Sequence, residues 1–217
     1  MEEELRARLE AEGFSVEPGG DSPEAFQERL PAPFARGTVS TPGWIARGRL
    51  ASGAEAVVVV YRGRATSQNR TTYPMRRQLL ARHPGLRGEA QVAPTMRRLM
   101  MAQRSWIARA FLGLLYGTLV VLLSPVLVFL WLAQRGKKER LRFGRRFDRE
   151  FGVWKPVEAE SPLTEPVRAV LLASGLRETL HFEPGLVRVS NVTAARVGPL
   201  LAHMDALVRA AAPATYR

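Results

Sequence analysis

The chain contains no cysteine, and this absence excludes several kinds of chemistry at once. Disulfide bonds, cysteine-ligated zinc, iron–sulfur centres and thiol catalysis all require a thiol group. The three histidines, His83, His181 and His203, are far apart and lack the spacing of a metal site. We therefore expect neither a metal nor another cofactor.

Catalytic and nucleotide-binding motifs are missing as well, and lysine is scarce. The sequence has no G-x-G-x-x-G, Walker or G-x-S-x-G motif. Of the 32 basic residues 29 are arginine, and the formal net charge is +12. Arginine-rich, lysine-poor usage is typical of a GC-rich bacterial genome, so we expect a bacterial protein.

A long apolar run interrupts this charged chain at residues 110–133, which carry no formal charge. As a helix the run would be about 36 Å long, and a bilayer core about 30 Å thick needs about 20 residues. Trp106 and Trp131 lie where aromatic residues at a membrane interface are expected. The run therefore predicts a membrane helix, and the alternative is an unusually apolar core helix.

The topology of this predicted helix is left open. The basic residues that follow the run outnumber those that precede it, which favours a cytoplasmic C-terminal half in the bacterial inner membrane. A single span kinked at Pro125 and a re-entrant hairpin bent at Ser124-Pro125 both fit the sequence. Gly113 and Gly117 form a G-x-x-x-G pattern, a candidate helix–helix face for a homo-oligomer.

A dense basic cluster follows the run, and we expect it to orient the helix or to bind anionic lipid headgroups. It consists of Arg135, Lys137, Lys138, Arg140, Arg142, Arg145 and Arg146. Nucleic acid is not expected as a partner, because the membrane already accounts for the charge. Phe143, Phe147 and Phe151 repeat every four residues, which predicts a helix with an aromatic edge toward the interface.

The flanking regions show strand and turn patterns. Val57–Tyr61 is β-branched and aromatic, and the spacer Ala51-Ser52-Gly53 before it indicates a hairpin. Glu183-Pro184-Gly185 indicates a second hairpin. The predicted fold class is an α+β membrane protein, with one central transmembrane or re-entrant helix flanked by small α/β soluble regions with antiparallel hairpins.

Five regions are expected along the chain. They are a helix with a Gly/Pro-rich linker at 1–43, a β-rich region at 44–94, a helix entering the membrane at 95–134, a basic juxtamembrane segment at 135–150 and a β-α-β-β-α region at 151–217.

The C-terminal part resembles a group of uncharacterised bacterial proteins. The resemblance rests on an F-D-x-x-F-x-V segment at Phe147–Val153, followed by a helix, a hairpin of the HFEPGLVRV kind and a closing helix. A strand similar to GRLASGAEAVVVVYR occurs in the N-terminal half of that group. The resemblance implies that both halves belong to one fold, and it implies no activity.

Two functions from different classes fit these observations. In the first, the protein is a non-catalytic, membrane-anchored bacterial protein whose soluble parts bind a partner or assemble. In the alternative it is a membrane-bound enzyme, with a site assembled from scattered carboxylates and arginines such as Glu158, Glu160 and Arg168. A concave pocket with convergent titratable groups would favour the enzyme.

Overall fold

The computed structural model describes residues 2–20, 22–30, 39–67, 70–101, 114, 117–118 and 138–211. The chain divides into two compact units. Unit 1 consists of Met1–Leu86 with Gly185–Arg217, and unit 2 consists of Arg87–Pro184.

Unit 1 is built on a five-stranded antiparallel sheet in the order β1-β2-β3-β6-β11. Its strands are β1 (Ser15–Pro18), β2 (Val39–Arg49), β3 (Glu55–Gly63), β6 (Met75–Arg82) and β11 (Leu186–Ser190), and a separate two-stranded ribbon pairs β4 (Ala65–Ser67) with β5 (Arg70–Thr72). Its helices are α1 (Glu2–Ala11), α2 (Pro23–Glu28) and α6 (Ala194–Ala211).

The valine run of β3 forms the centre of unit 1. Side chains alternate between the two faces of a strand, yet Val57 to Val60 are all fully buried, so both faces of β3 are covered. On one face Phe26 of α2 joins Ile45, Val59 and Leu80 in a single apolar cluster. A side chain anchors α2, because the Ser22 hydroxyl oxygen accepts the Ala25 N–H at 3.1 Å.

The turn between β2 and β3 is held by a buried carboxylate. Gly53 has a φ of +82°, which favours glycine in this turn. The Ser52 N–H donates to Asp205 Oδ1 of α6 at 2.7 Å, and Arg209 donates to the other carboxylate oxygen. Asp205 is only 8% exposed, so its charge is buried but fully partnered. It thereby ties α6 to the sheet.

Unit 2 contains four antiparallel strands in the order β10-β7-β9-β8. They are β7 (Ala90–Pro94), β8 (Lys138–Leu141), β9 (Phe151–Pro156) and β10 (Leu180–Glu183), and the helices are α3 (Met96–Met101), α4 (Arg145–Glu150) and α5 (Glu165–Ala173). Gly88 shows how closely the backbones approach, because a Cβ there would lie 2.3 Å from the Glu160 carbonyl oxygen. Only glycine fits this position.

The predicted fold class is wrong. The described residues are dominated by antiparallel strands, seven in unit 1 and four in unit 2, where the sequence predicted small regions around a membrane helix. In this described part of the chain, no helix is both long and apolar enough to cross a bilayer. The transmembrane, single-pass and inner-membrane predictions are corrected by the same finding.

Much of the sequence on which those predictions rested lies outside the described residues. Of the apolar run at 110–133, the structure describes only Leu114, Gly117 and Thr118. The choice between a span and a hairpin at Ser124-Pro125 also falls outside, as do Trp106 and Trp131.

The aromatic repeat is the second correction. The spacing of Phe143, Phe147 and Phe151 predicted one continuous helix, but Phe143 lies in a loop, Phe147 in α4 and Phe151 at the start of β9. Phe147 and Phe151 are buried in unit 2 and present no aromatic edge. The helix ends because residues 151–154 pair with β7, and that pairing is a long-range interaction.

Candidate functional site: an arginine-lined concavity

The site is formed by β8, the loop 142–144 and α4. The antiparallel pairing of β8 with β9 sets Arg140 opposite Trp154. Gly144 has a φ of +104°, a conformation that favours glycine, and α4 begins at the next residue. The Phe143 N–H donates to Asp148 Oδ1 at 3.0 Å, which closes the loop onto the helix.

This turn brings four arginines to one shallow concavity of about 340 Å³. The concavity is lined by Arg140, Arg142, Arg145, Asp148 and Arg149, and we call the four arginines the arginine surface. All four are exposed to solvent. Arg145 and Arg149 are four residues apart on α4 and therefore lie on one face of the helix.

The positive charge of the arginine surface has no carboxylate partner within the described residues, where none of the four arginines forms an ion pair. The neighbouring acidic side chains are engaged elsewhere. Asp148 accepts the Phe143 N–H, Glu150 pairs with Arg98 at 3.4 Å and Glu139 pairs with Lys155 at 3.3 Å. Because an arginine in a protein does not deprotonate, the charge stays and favours an anionic ligand.

A packed aromatic layer supports the surface. The Phe143 and Phe147 rings meet edge to face with centroids 5.6 Å apart, and Phe147 and Phe151 are 5.3 Å apart. The guanidinium of Arg168 lies 4.9 Å from the Phe143 ring centroid and donates to the Leu163 carbonyl oxygen at 2.7 Å. The loop that carries Arg142 is therefore held in place by the packing of Phe143 against Phe147 and Arg168.

Arg98 fixes the other end of α4. Its side chain is only 12% exposed, its carbon Cζ lies 4.3 Å from the Phe151 ring centroid, and it donates to the carbonyl oxygens of Ser174 and Leu176 as well as to Glu150. Burial lowers the pKa of Arg98, and the Glu150 carboxylate acts in the opposite direction. Arg98 thus links α3, the end of α4 and the segment after α5.

The structure brings together some residues of the predicted basic cluster and not others. Arg140, Arg142 and Arg145 line the concavity, whereas Arg146 is exposed on α4 outside it. Lys138 belongs to β8, but its side chain is outside the description, as are Arg135 and Lys137 entirely. The sequence-based cluster omitted Arg149, which its spacing from Arg145 could have identified.

The remaining candidates do not converge on this site. Gly113 lies outside the described residues, and Gly117 is an exposed helical residue. The oligomer through these glycines and the anionic-headgroup partner therefore stay predictions.

The residues of the enzyme alternative are not assembled either. Glu158 and Glu160 are exposed, while Arg168 packs on Phe143. Within the described residues no cluster of histidine and acidic side chains has the arrangement of a metal site. His83 Nδ1 accepts the Gly85 N–H at 3.0 Å, which is a structural turn contact.

Comparisons of the chain with protein-family models, curated proteins and solved structures give no significant match. The arrangement of its own residues therefore carries the functional inference.

Proposed function

We propose that this is a non-catalytic binding protein whose arginine surface receives an acidic segment of a protein partner. The observation that carries the proposal is the convergence of Arg140, Arg142, Arg145 and Arg149 on one concavity whose neighbouring carboxylates are already engaged. Arginine binds carboxylates through paired N–H donors, so four guanidiniums can hold several carboxylates of one segment.

The size and surroundings of the concavity favour a protein segment over an extended polymer. Its volume of about 340 Å³ accommodates a few side chains. The Phe143 ring, in the loop of the site, packs between Arg168 and Phe147 and is therefore not a free platform for base stacking. Asp148 adds one negative charge within the lining, which disfavours closely spaced phosphates more than separated carboxylates.

Two neighbouring arginines of α4 provide a matched test. Arg145 lines the concavity and Arg146 does not, although both are exposed and carry the same charge. The affinity of a fluorescently labelled hexaglutamate peptide would be measured by anisotropy for the full chain, Arg145→Gln and Arg146→Gln. We expect Arg145→Gln to weaken binding about fivefold and Arg146→Gln less than about twofold, since exposed charge pairs contribute up to about 1 kcal/mol.

The triple change of Arg140, Arg142 and Arg145 to Gln extends the test, and we expect it to abolish saturable binding. The proposal would be contradicted if Arg145→Gln and Arg146→Gln lowered the affinity for hexaglutamate equally, or if the unchanged protein showed no saturable binding. Thermal unfolding of each variant checks that the fold is retained.

A further inference from the structure

A second basic feature lies in unit 1, where β3 and β6 continue into the ribbon of β4 and β5. The Gly63 N–H donates to the Pro74 carbonyl oxygen at 3.0 Å, and Ala65 then pairs with Thr72. Among the described strands, β4 and β5 pair only with each other. Residues 62–67 and 70–76 therefore form a two-stranded extension of the sheet, which we call the basic arm.

The basic arm has positive charge without any negative charge nearby in sequence. No aspartate or glutamate occurs between Glu55 and Glu89, and the arm itself contains Arg62, Arg64, Arg70 and Arg76. Arg62, Arg64 and Arg76 are exposed, and in the described part of the chain none of the three forms an ion pair. By contrast, Arg82 at the other end of β6 does form an ion pair, because its guanidinium nitrogen lies 3.5 Å from Glu55 Oε2.

Among the side chains of the arm that the structure describes, the other exposed groups include hydroxyl groups and one aromatic ring. Thr71 and Thr72 are exposed, and Tyr73 is 50% exposed, one of the few large apolar side chains in this state among the described residues. Arginine, threonine and tyrosine side chains are the donors that proteins use toward phosphate oxygens.

The described part of the arm is a two-stranded ribbon. The major groove of B-form DNA is wide enough to admit such a ribbon, whereas that of A-form RNA is deep and narrow. A single exposed tyrosine provides too little aromatic surface for the base stacking that single-strand binders use. We propose that the basic arm binds the phosphate backbone of duplex DNA, without base specificity.

The test uses two variants that lower the net charge equally. In the arm triple, Arg62, Arg64 and Arg76 are changed to Gln, and in the surface triple Arg140, Arg142 and Arg145 are changed to Gln. Affinity for a labelled random-sequence DNA duplex is measured by anisotropy from 50 to 200 mM NaCl. Each phosphate contact contributes about 0.9 to the slope of log K against log salt, so we expect the arm triple to reduce that slope by about 2 to 3. The surface triple should leave it unchanged.

A conservative variant separates charge from folding. With Arg62, Arg64 and Arg76 changed to Lys, the slope should return to that of the unchanged protein, because counterion release depends on charge. The idea fails if the unchanged protein shows no salt-dependent duplex binding, if both triples lower the slope equally, or if the arm triple leaves it intact. Equal loss of hexaglutamate binding in the arm triple would also overturn it, since the arm would then be a general anion site. Failure of the acidic-segment proposal would appear separately, as hexaglutamate binding that does not depend on the arginine surface.

Discussion

The two units are stabilised in different ways. In unit 1 the valine run of β3, Val57–Val60, is fully buried and has apolar neighbours on both faces, including Phe26 of α2. In unit 2 a nearly buried guanidinium, Arg98, joins three segments through hydrogen bonds and a ring contact. Burial of apolar area is non-directional and tolerates small shifts, whereas a guanidinium fork requires its acceptors in fixed positions.

This difference matters for the candidate site. The arginine surface lies on the unit that depends on directional contacts, and Arg98 and Thr95 hold the end of α4. The Thr95 hydroxyl donates to the Arg149 carbonyl oxygen at 2.6 Å, and the Thr95 N–H donates to the Glu150 carbonyl oxygen at 2.9 Å. Hydrogen bonds to charged groups contribute about 1.5–3 kcal/mol each when buried. The positions of Arg145 and Arg149 should therefore respond to changes far away in sequence.

The largest effect should come from the apolar core of unit 1. Phe26→Ala removes a fully buried ring and should lower the free energy of unfolding by about 3–5 kcal/mol. Urea denaturation followed by circular dichroism measures the change. Phe26→Leu is the matched control and should lose less than half as much. Hydrogen exchange should accelerate in residues 57–61 more than in residues 151–153, and the opposite order would break the proposed distinction between the units.

The next largest effect should come from Arg98 in unit 2. Arg98→Ala leaves Glu150 and two carbonyl oxygens without their donor. We expect it to lower the free energy of unfolding by about 2–3 kcal/mol. Arg98→Lys keeps the charge but not the planar fork, so it should recover less than half of the loss. The measurement is the urea midpoint of each variant. If Arg98→Lys is as stable as the unchanged protein, charge alone suffices and unit 2 does not depend on directional contacts.

A smaller, pH-dependent effect should arise in unit 1 at Tyr61. Burial raises the pKa of Tyr61, while the guanidiniums of Arg76 and Arg188 act in the opposite direction. In the unfolded chain Tyr61 ionises from about pH 10, and in the folded chain it ionises only at higher pH. The stability that the neutral hydroxyl contributes is therefore intact below pH 10 and is lost above it. Between pH 10 and 11 the loss should be at most about 1 kcal/mol.

This effect is measured by comparing the unchanged protein with Tyr61→Phe. The difference between their unfolding free energies is determined at pH 8, 10 and 11. The phenylalanine variant should lose less stability across the alkaline range. Parallel curves for the two proteins would show that Tyr61 ionises equally in the folded and unfolded states.

The smallest effect should come from an exposed guanidinium. Arg6 Nε lies 3.1 Å from Glu10 Oε1 on α1, and both side chains are about half exposed. Because such pairs are screened by water and salt, Arg6→Gln should change the free energy of unfolding by less than about 0.5 kcal/mol. Urea denaturation beside Arg98→Ala gives the comparison. A similar loss in both variants would show that burial does not distinguish the two arginines.

Several local elements could be predicted from the sequence because their signals are short-range. β3 covers the predicted strand Val57–Tyr61, and the spacer Ala51-Ser52-Gly53 is the turn between β2 and β3. Leu5 and Leu9 are buried on α1, as their four-residue spacing indicates. Strand β1 and the role of Phe26 were missed, because the surrounding Gly/Pro-rich segment contains no periodic pattern long enough to indicate either.

The candidate site was predictable only as a group of charges. Sequence spacing identified Arg140, Arg142 and Arg145 as a cluster, but it assigned Arg146 to the same group and omitted Arg149. Which arginines share a concavity depends on the turn at Gly144 and on the pairing of β8 with β9. The expected membrane setting was corrected because, among the residues that the structure describes, no helix is both long and apolar enough to cross a bilayer.

By itself the sequence determined the charge, the absence of thiol chemistry, the valine strand and the turns beside it, because composition and local periodicity act over a few residues. The tertiary structure alone decided that Phe151 leaves a helical spacing to begin β9, because pairing with β7 outweighs local helix propensity. It also decided that Glu150 is neutralised by Arg98, 52 residues earlier in the chain. Glu150 and Glu139 therefore do not compensate the arginine surface, and Asp148 is the single carboxylate among the residues that line the concavity.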